Sequence, residues 1–376
     1  MPVTRSYSSV GYALELDSKI SGFLNGFEGG DATGDVVIEA PGPDRIIHKH
    51  LAGVKYEDIA LSFGADMSDS VYDWIAATLG GTDLPRDGAI VTADMIHPAG
   101  SSRLEFLGAL IREITFPALD AGSTRAALIE IKFAPESTGS SQAAAQTPTN
   151  VRSSKRWLAS NFRLQIDGLD CSKVSAIDAL TISRALVSDA AGETRNYRMN
   201  PGPLSTPNLA FTIAEAGADL LIAWHQDFVI NGNNGAGAEK NGTLQFLSPN
   251  LRDALFTLTL RNLGIFKLAP EKVDANAEAV RRLRAEMYCE EIGFQYTSTA
   301  SAGAQYGGAD TKSGASADSS AAATQKDGKP PLRGVYVQGL ATVAGSKSVI
   351  PRQTQPSSPE PVTNAFNLGR PLKFRI

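Results

Sequence analysis

Apolar and small or polar residues alternate along short stretches of this chain. Ile59-Ala-Leu61-Ser-Phe63 and Leu209-Ala-Phe211-Thr-Ile213 place an apolar side chain at every second position. That two-residue period turns one face of an extended strand toward a core. Helical spacing occurs in fewer places. Val71, Trp74, Ile75 and Thr78-Leu79 share one face, with Ser68 or Asp69 placed to cap the first turn and Gly80-Gly81 to end it. A second segment has Asp219 as cap, followed by Leu220, Leu221, Trp224 and Phe228. The 35 glycines and 20 prolines suit many short strands joined by turns better than long helices.

These features recur in order. Trp224 stands 150 positions after Trp74, Leu209 the same distance after Ile59, and Asp219 after Asp69. Each tryptophan is predicted to anchor its helix on a sheet. Leu104–Pro117 aligns with Ala254–Lys267 at the same offset, and each half closes on a strand, Ile129–Phe133 and Ala285–Cys289. That last offset is 156, which places a six-residue insertion near Val273–Ala279. Pro41-Gly42-Pro43 and Pro201-Gly202-Pro203 read as turns before the repeated strands. On that reading the first half carries a longer excursion, Asp44–Asp58.

The expected organisation is one β-domain over 1–136, a polar linker over 137–154, a second β-domain over 155–297, and a low-complexity segment with a C-terminal extension over 298–376. Within the extension, Val335–Leu340 and Leu372–Ile376 alternate again. The last could add to a neighbour's sheet edge or fray.

Composition narrows the function classes. A net charge of −5 lacks the basic surface that displaces counterions from nucleic acid, although an acidic channel wall would let DNA slide past. Cys171 and Cys289 are the only cysteines, so a disulfide framework and a four-cysteine zinc site are excluded; both read as small buried hydrophobes. No run of 18 apolar residues occurs and the first residues form no apolar signal region, so membrane insertion and export by a cleaved signal are not expected.

Candidate chemistry is sparse. His48 and His50 would share a strand face but have no third ligand nearby. His97 lies before Pro98, and His225 follows the helix tryptophan without a nucleophile partner. Gly232-Asn-Asn-Gly235-Ala-Gly237 begins like a dinucleotide loop but precedes a strand and lacks the final glycine, so it reads as a hairpin loop. No catalytic, cofactor-binding or metal residue is assigned, no cofactor is expected, and the chain is read as not an enzyme.

The order of features resembles the tail-tube protein family of contractile phages and related injection systems. The resemblance is carried by Gly11–Leu16, Ile20-Ser-Gly-Phe23, Phe27-Glu-Gly-Gly-Asp31, Lys49–Gly53, Asp73-Trp74-Ile75 and Asn161–Leu169, and it covers residues 8–136 and 157–296. It implies two antiparallel β-barrel or sandwich domains, each with a short flanking helix. It also implies self-association into rings that stack as a hollow tube. Sheath, baseplate hub and terminator proteins would be the partners, DNA or protein the unbound cargo, and a virion tail or injection-system particle, made in the bacterial cytoplasm, the location. Two alternatives stay open: a trimeric hub or tube-initiating adaptor with pseudo-six-fold symmetry, and a soluble β-domain that binds or hydrolyses carbohydrate.

Overall fold

The computed structural model describes residues 11–41, 45–82, 84–93, 102–142, 157–189, 198–271, 280–297 and 332–334. His97, Val335–Leu340, Leu372–Ile376 and nearly all of the low-complexity segment lie outside the described residues, as do 143–154 of the expected linker.

The fold is mainly β. The N-terminal half runs β1 (Gly11–Leu16), β2 (Lys19–Leu24), β3 (Gly26–Gly29), β4 (Ala32–Ile38), β5 (Lys49–Tyr56), β6 (Ile59–Phe63) and helix α1 (Asp69–Leu79). It continues with β7 (Arg86–Ala93), β8 (Ser102–Phe116), β9 (Leu119–Asp120), β10 (Ile129–Ala134) and β11 (Ser137–Gln142). The C-terminal half opens with β12 (Phe162–Ile166), β13 (Val174–Ile177), β14 (Leu180–Asp189), β15 (Arg198–Ser205) and β16 (Leu209–Ala214). Helix α2 (Asp219–His225) follows, then β17 (Lys240–Leu247), β18 (Ala254–Pro270), β19 (Arg282–Thr297) and β20 (Leu332–Gly334). Ser137–Gln142, expected as linker, pairs with β8 instead, because its backbone can complete a ladder whatever its small side chains.

One sheet is ordered β2-β1-β7-β8-β10-β6-β3 and the other β12-β17-β18-β19-β16-β13-β9, with all pairings antiparallel. Registers correspond position by position. Leu61 faces Phe27 and Ile131, and Phe211 faces Ile177 and Ala285. Corresponding positions therefore stand 150 apart before the helices and 154 apart from β7 and β17 onward. This corrects two alignments read from the sequence. Ile131 matches Ala285 and not Met287, and Ile114 matches Leu268 and not Gly264. The extra residues sit in the connection from α2 to β17, not near Val273–Ala279. Gly232–Gly237 belongs to that connection, so it links a helix to a strand and does not close a hairpin.

One of the two proline turns is corrected as well, while Gly42 and Pro43 of the other lie outside the described residues. Pro201–Pro203 lies inside β15, where Leu186 faces Pro201 beside a bulge. Proline is tolerated there because, among the described residues, β15 pairs only with β14 and needs no donors on its outer edge. The hairpins β4–β5 and β14–β15 have the same register at an offset of 150, with Thr33 facing Lys55 and Ser183 facing Ser205. Each bulges at the same place, between Gly34 and Val36 or Arg184 and Leu186. The first half thus has no longer excursion.

A bulge also recurs where β7 meets β8 and β17 meets β18, and each time a glycine stands beside it. A Cβ on Gly88 would lie 2.3 Å from the Glu15 carbonyl oxygen, and one on Gly242 2.8 Å from that of Gln165, so no side chain fits between these strands.

Helix α1 follows its sequence signals in part. Ser68 holds the N-cap position, but its hydroxyl lies 2.7 Å from that of Ser70 and caps no backbone N–H. At the other end the Gly81 N–H bonds Thr78 and the Thr82 N–H bonds Ala77, which satisfies the last carbonyls. Asp219 is the first helical residue of α2 and Ala218 its N-cap. Leu221, Trp224 and Phe228 are buried, and Leu220 is exposed.

A single hydrophobic core extends through both halves. Trp74 packs at 5.4 Å from Phe133, and Tyr72 at 5.4 Å from Phe256 of the other half. Trp157, which no sequence pattern singled out, lies 5.2 Å from Phe246 and 5.6 Å from Phe256, edge-on to both. Trp157→Ala is expected to cost about 3–5 kcal/mol, the usual loss for a buried aromatic. Trp224→Ala should cost less, since Trp224 lies nearer the surface. Urea unfolding of the two variants checks the order.

Candidate assembly surface

An unpaired strand edge carries a row of N–H and C=O groups that seek partners. The hairpin β14–β15 has found one. After Ile177 the chain leaves the C-terminal sheet, and β14 joins β8 of the N-terminal half, with Leu180 opposite Phe116, Ile182 opposite Ile114 and Ser183 opposite Glu113. Leu180, Ile182, Ile114 and Phe116 are all buried at this junction. The buried Arg184 donates from Nε to the Ile111 carbonyl at 2.7 Å, and the Thr115 and Thr181 hydroxyls lie 3.0 Å apart.

The N-terminal half returns the exchange. β9 adds to the outer edge of β13, with Leu119 opposite Ile177. The Tyr296 hydroxyl donates to Asp73 of helix α1 at 2.6 Å. At the turn from β13 to β14, Asp178 holds Arg284 through two hydrogen bonds, 3.2 and 2.5 Å, which raises the guanidinium pKa further above its ordinary value. Lys267 bonds Glu286 at 2.7 Å and holds that carboxyl below its usual range. Tyr288 donates to Glu239 at 2.6 Å, and that bond pushes its pKa up to about 12.

Other edges stay open. The hairpin β4–β5 forms a two-stranded sheet of its own. Its apolar side chains face water, with Val36 58%, Ile38 62% and Leu51 68% exposed. Among the described residues no strand pairs with the outer edge of β3. β18 pairs with β19 along most of its length, but β17 covers it only as far as Leu263. From Gly264 to Pro270 its second edge therefore has no strand, among the described residues, and Phe266 is exposed there.

Gly29 and Gly30 stand where the chain leaves the sheet for β4, with φ of 84° and 88°. A Cβ on Gly29 would lie 2.0 Å from the Asp58 carbonyl oxygen. This backbone requirement is the physical content of the Glu-Gly-Gly stretch.

The chemistry-bearing residues do not converge. His48 and His50 are exposed on the β4–β5 hairpin, and His50 sits 3.7 Å from Glu39. His225 ends α2. Cys171 and Cys289 are free thiols whose pKa burial pushes up; Cys289 is buried as expected, whereas Cys171 is only half-buried. Among the described residues no three His, Cys, Asp or Glu side chains are grouped to hold a metal, and no helix is long and apolar enough to cross a membrane. A concavity of about 960 Å³ beside β12 and β17 has Phe162 as its single aromatic wall residue, with Asp167, Asp170 and Cys171 nearby.

No family model matches the chain, and neither does any curated protein. Several solved structures are similar to parts of it. A chain of the sheath–tube complex of an extracellular contractile injection system aligns at 17% identity over 36% of this chain and 88% of its own, with a TM-score of 0.29. The sheath/tube terminator of that system aligns at 17% identity over 37% and 99%, with a TM-score of 0.32. The tube-terminating cap of the anti-feeding prophage aligns at 15% identity over 42% and 96%, with a TM-score of 0.27.

The β14–β8 junction is open to direct test. Ile182→Asp would bury a charge against Ile114 inside it, which costs its desolvation. Native-state hydrogen exchange should show β14–β15 amides losing protection while those of β16 and β19 keep theirs.

Proposed function

We propose that this chain is a non-enzymatic structural subunit that assembles with copies of itself into rings, and that the rings stack around a hollow conduit of the tail-tube kind. Its halves are two diverged copies of one domain. One observation carries this reading. The hairpin of the second half completes the sheet of the first, whereas the corresponding hairpin of the first half projects with its apolar side chains in water. A monomer gains nothing from such a hairpin and risks aggregation by it. A subunit that meets further copies head to tail covers it, and a head-to-tail contact that closes on itself makes a ring.

The conduit acts passively. Its work is self-assembly, and DNA or protein passes without specific binding. Sheath, hub and terminator components are the partners that the family resemblance implies, and a virion tail or injection-system particle is the matching location. The two halves are not identical, since among the described residues only the first has a strand in the place of β2. That difference favours a second reading, a three-chain hub whose six domains mimic six-fold symmetry.

Negative-stain electron microscopy with native mass measurement tests both readings. Stacked rings or tubes of six chains per ring support the tube, and isolated three-chain rings support the hub. A chain that stays monomeric over a wide concentration range contradicts self-assembly.

A further inference from the structure

On the premise of self-assembly stated above, we propose that the β4–β5 hairpin of one chain docks on the open β18 edge, Gly264–Pro270, of a second copy. Ala32 then faces Leu268 and Thr33 faces Lys267.

The register comes from the junction that one chain already contains. The donor hairpins β4–β5 and β14–β15 superimpose at an offset of 150, bulge included, so Ala32 and Thr33 hold the places of Ile182 and Ser183. The acceptor strands β8 and β18 correspond at an offset of 154. Ile131 faces Ile114 as Ala285 faces Leu268, and both ladders shift one step further on, past Lys132 and past Glu286. Leu268 and Lys267 thus hold the places of Ile114 and Glu113. Transferring the pairs Ile182–Ile114 and Ser183–Glu113 gives Ala32–Leu268 and Thr33–Lys267.

Burial on the two acceptors agrees with one being filled and the other open. Ile114 and Phe116 are buried beneath β14, whereas Leu268 is only half-buried and Pro270 is exposed. Pro270 lacks an N–H, as befits the end of an edge, and the residues before it leave their outer backbone groups available. Asp31 would lie diagonally across from Lys267 on the same sheet face, an attractive cross-strand pair. The corner differs in one respect. Gly29-Gly30 replaces Ala179-Leu180, and glycine admits both signs of φ, so β4 can turn to meet an edge on another chain.

Within one chain this donor and this acceptor are not paired with each other, and the same surfaces on two copies are complementary without further components. The occupant is therefore a second copy. Repeating the step places each domain on the next by the same kind of contact that already joins the two halves.

Single-cysteine chains test the register. In a background with Cys171→Ala and Cys289→Ala, chains carrying Ala32→Cys are mixed with chains carrying Leu268→Cys and oxidised. Facing strand positions lie within disulfide reach. A covalent dimer is expected from this mixture and not from Ala32→Cys with Arg261→Cys, a position on the stretch of β18 that β17 covers. A second measurement needs no cysteine: Thr33→Lys, opposing Lys267, should weaken assembly, and Thr33→Glu, which that lysine attracts, should not. Rings or tubes that form normally with no Ala32–Leu268 cross-link, or with equal cross-linking to Arg261→Cys, overturn the docking register and leave self-assembly standing. A cysteine-free chain that stays monomeric by native mass overturns both.

Discussion

Every backbone N–H and C=O taken out of water must find a partner, and in a chain made of strands that requirement falls on the sheet edges. The rest of this structure follows from how it is met. Two sheets of nearly the same order could each bury a face and still leave edges exposed. Here the halves close some of those edges against each other, β14 on β8 and β9 on β13. Among the edges that remain, β4–β5, the outer side of β3 and the end of β18 are the surfaces from which a function is argued.

The exchange binds the halves more tightly than a linker could. Aromatic side chains from both sides interlock, with Phe116 5.7 Å from Phe246 and 5.9 Å from Phe294, and Tyr296 reaches across to Asp73. Unfolding one half would strip the apolar cover from the other, so the pair should unfold together and resist bending at its junction. The β4–β5 hairpin has no such support and belongs to the low-stability end of the molecule. Rigid core and projecting hairpin together suit a building block that presents one adaptable contact on a fixed frame.

Much of the architecture was legible in the residues. The alternation at Ile59–Phe63, the helical face around Trp74 and the strand at Leu209–Ile213 each carry their own period, and all took the expected form. What failed was alignment and context. The Pro-Gly-Pro pairs looked equivalent because they share letters, although one lies inside a paired strand. The closing strands alternate, and alternation looks the same after a slip of two, so 156 could be mistaken for 154. Ser137–Gln142 read as linker because pairing is a backbone property that small polar side chains conceal. Trp157 was invisible for the opposite reason: its partners Phe246 and Phe256 lie far along the chain. The candidate assembly surface could not have been read locally at all, since it depends on which edges the fold leaves open.

Hydrogen–deuterium exchange, compared between the isolated and the assembled chain, measures edge closure most directly. The expected result is that the amides of β4 and of Gly264–Ala269 that point away from β5 and β19 exchange freely in the isolated chain and become protected in the assembly, while β14 and β8 are protected in both. Assembled particles in which those β4 and Gly264–Ala269 amides exchange as fast as in the single chain would contradict the account.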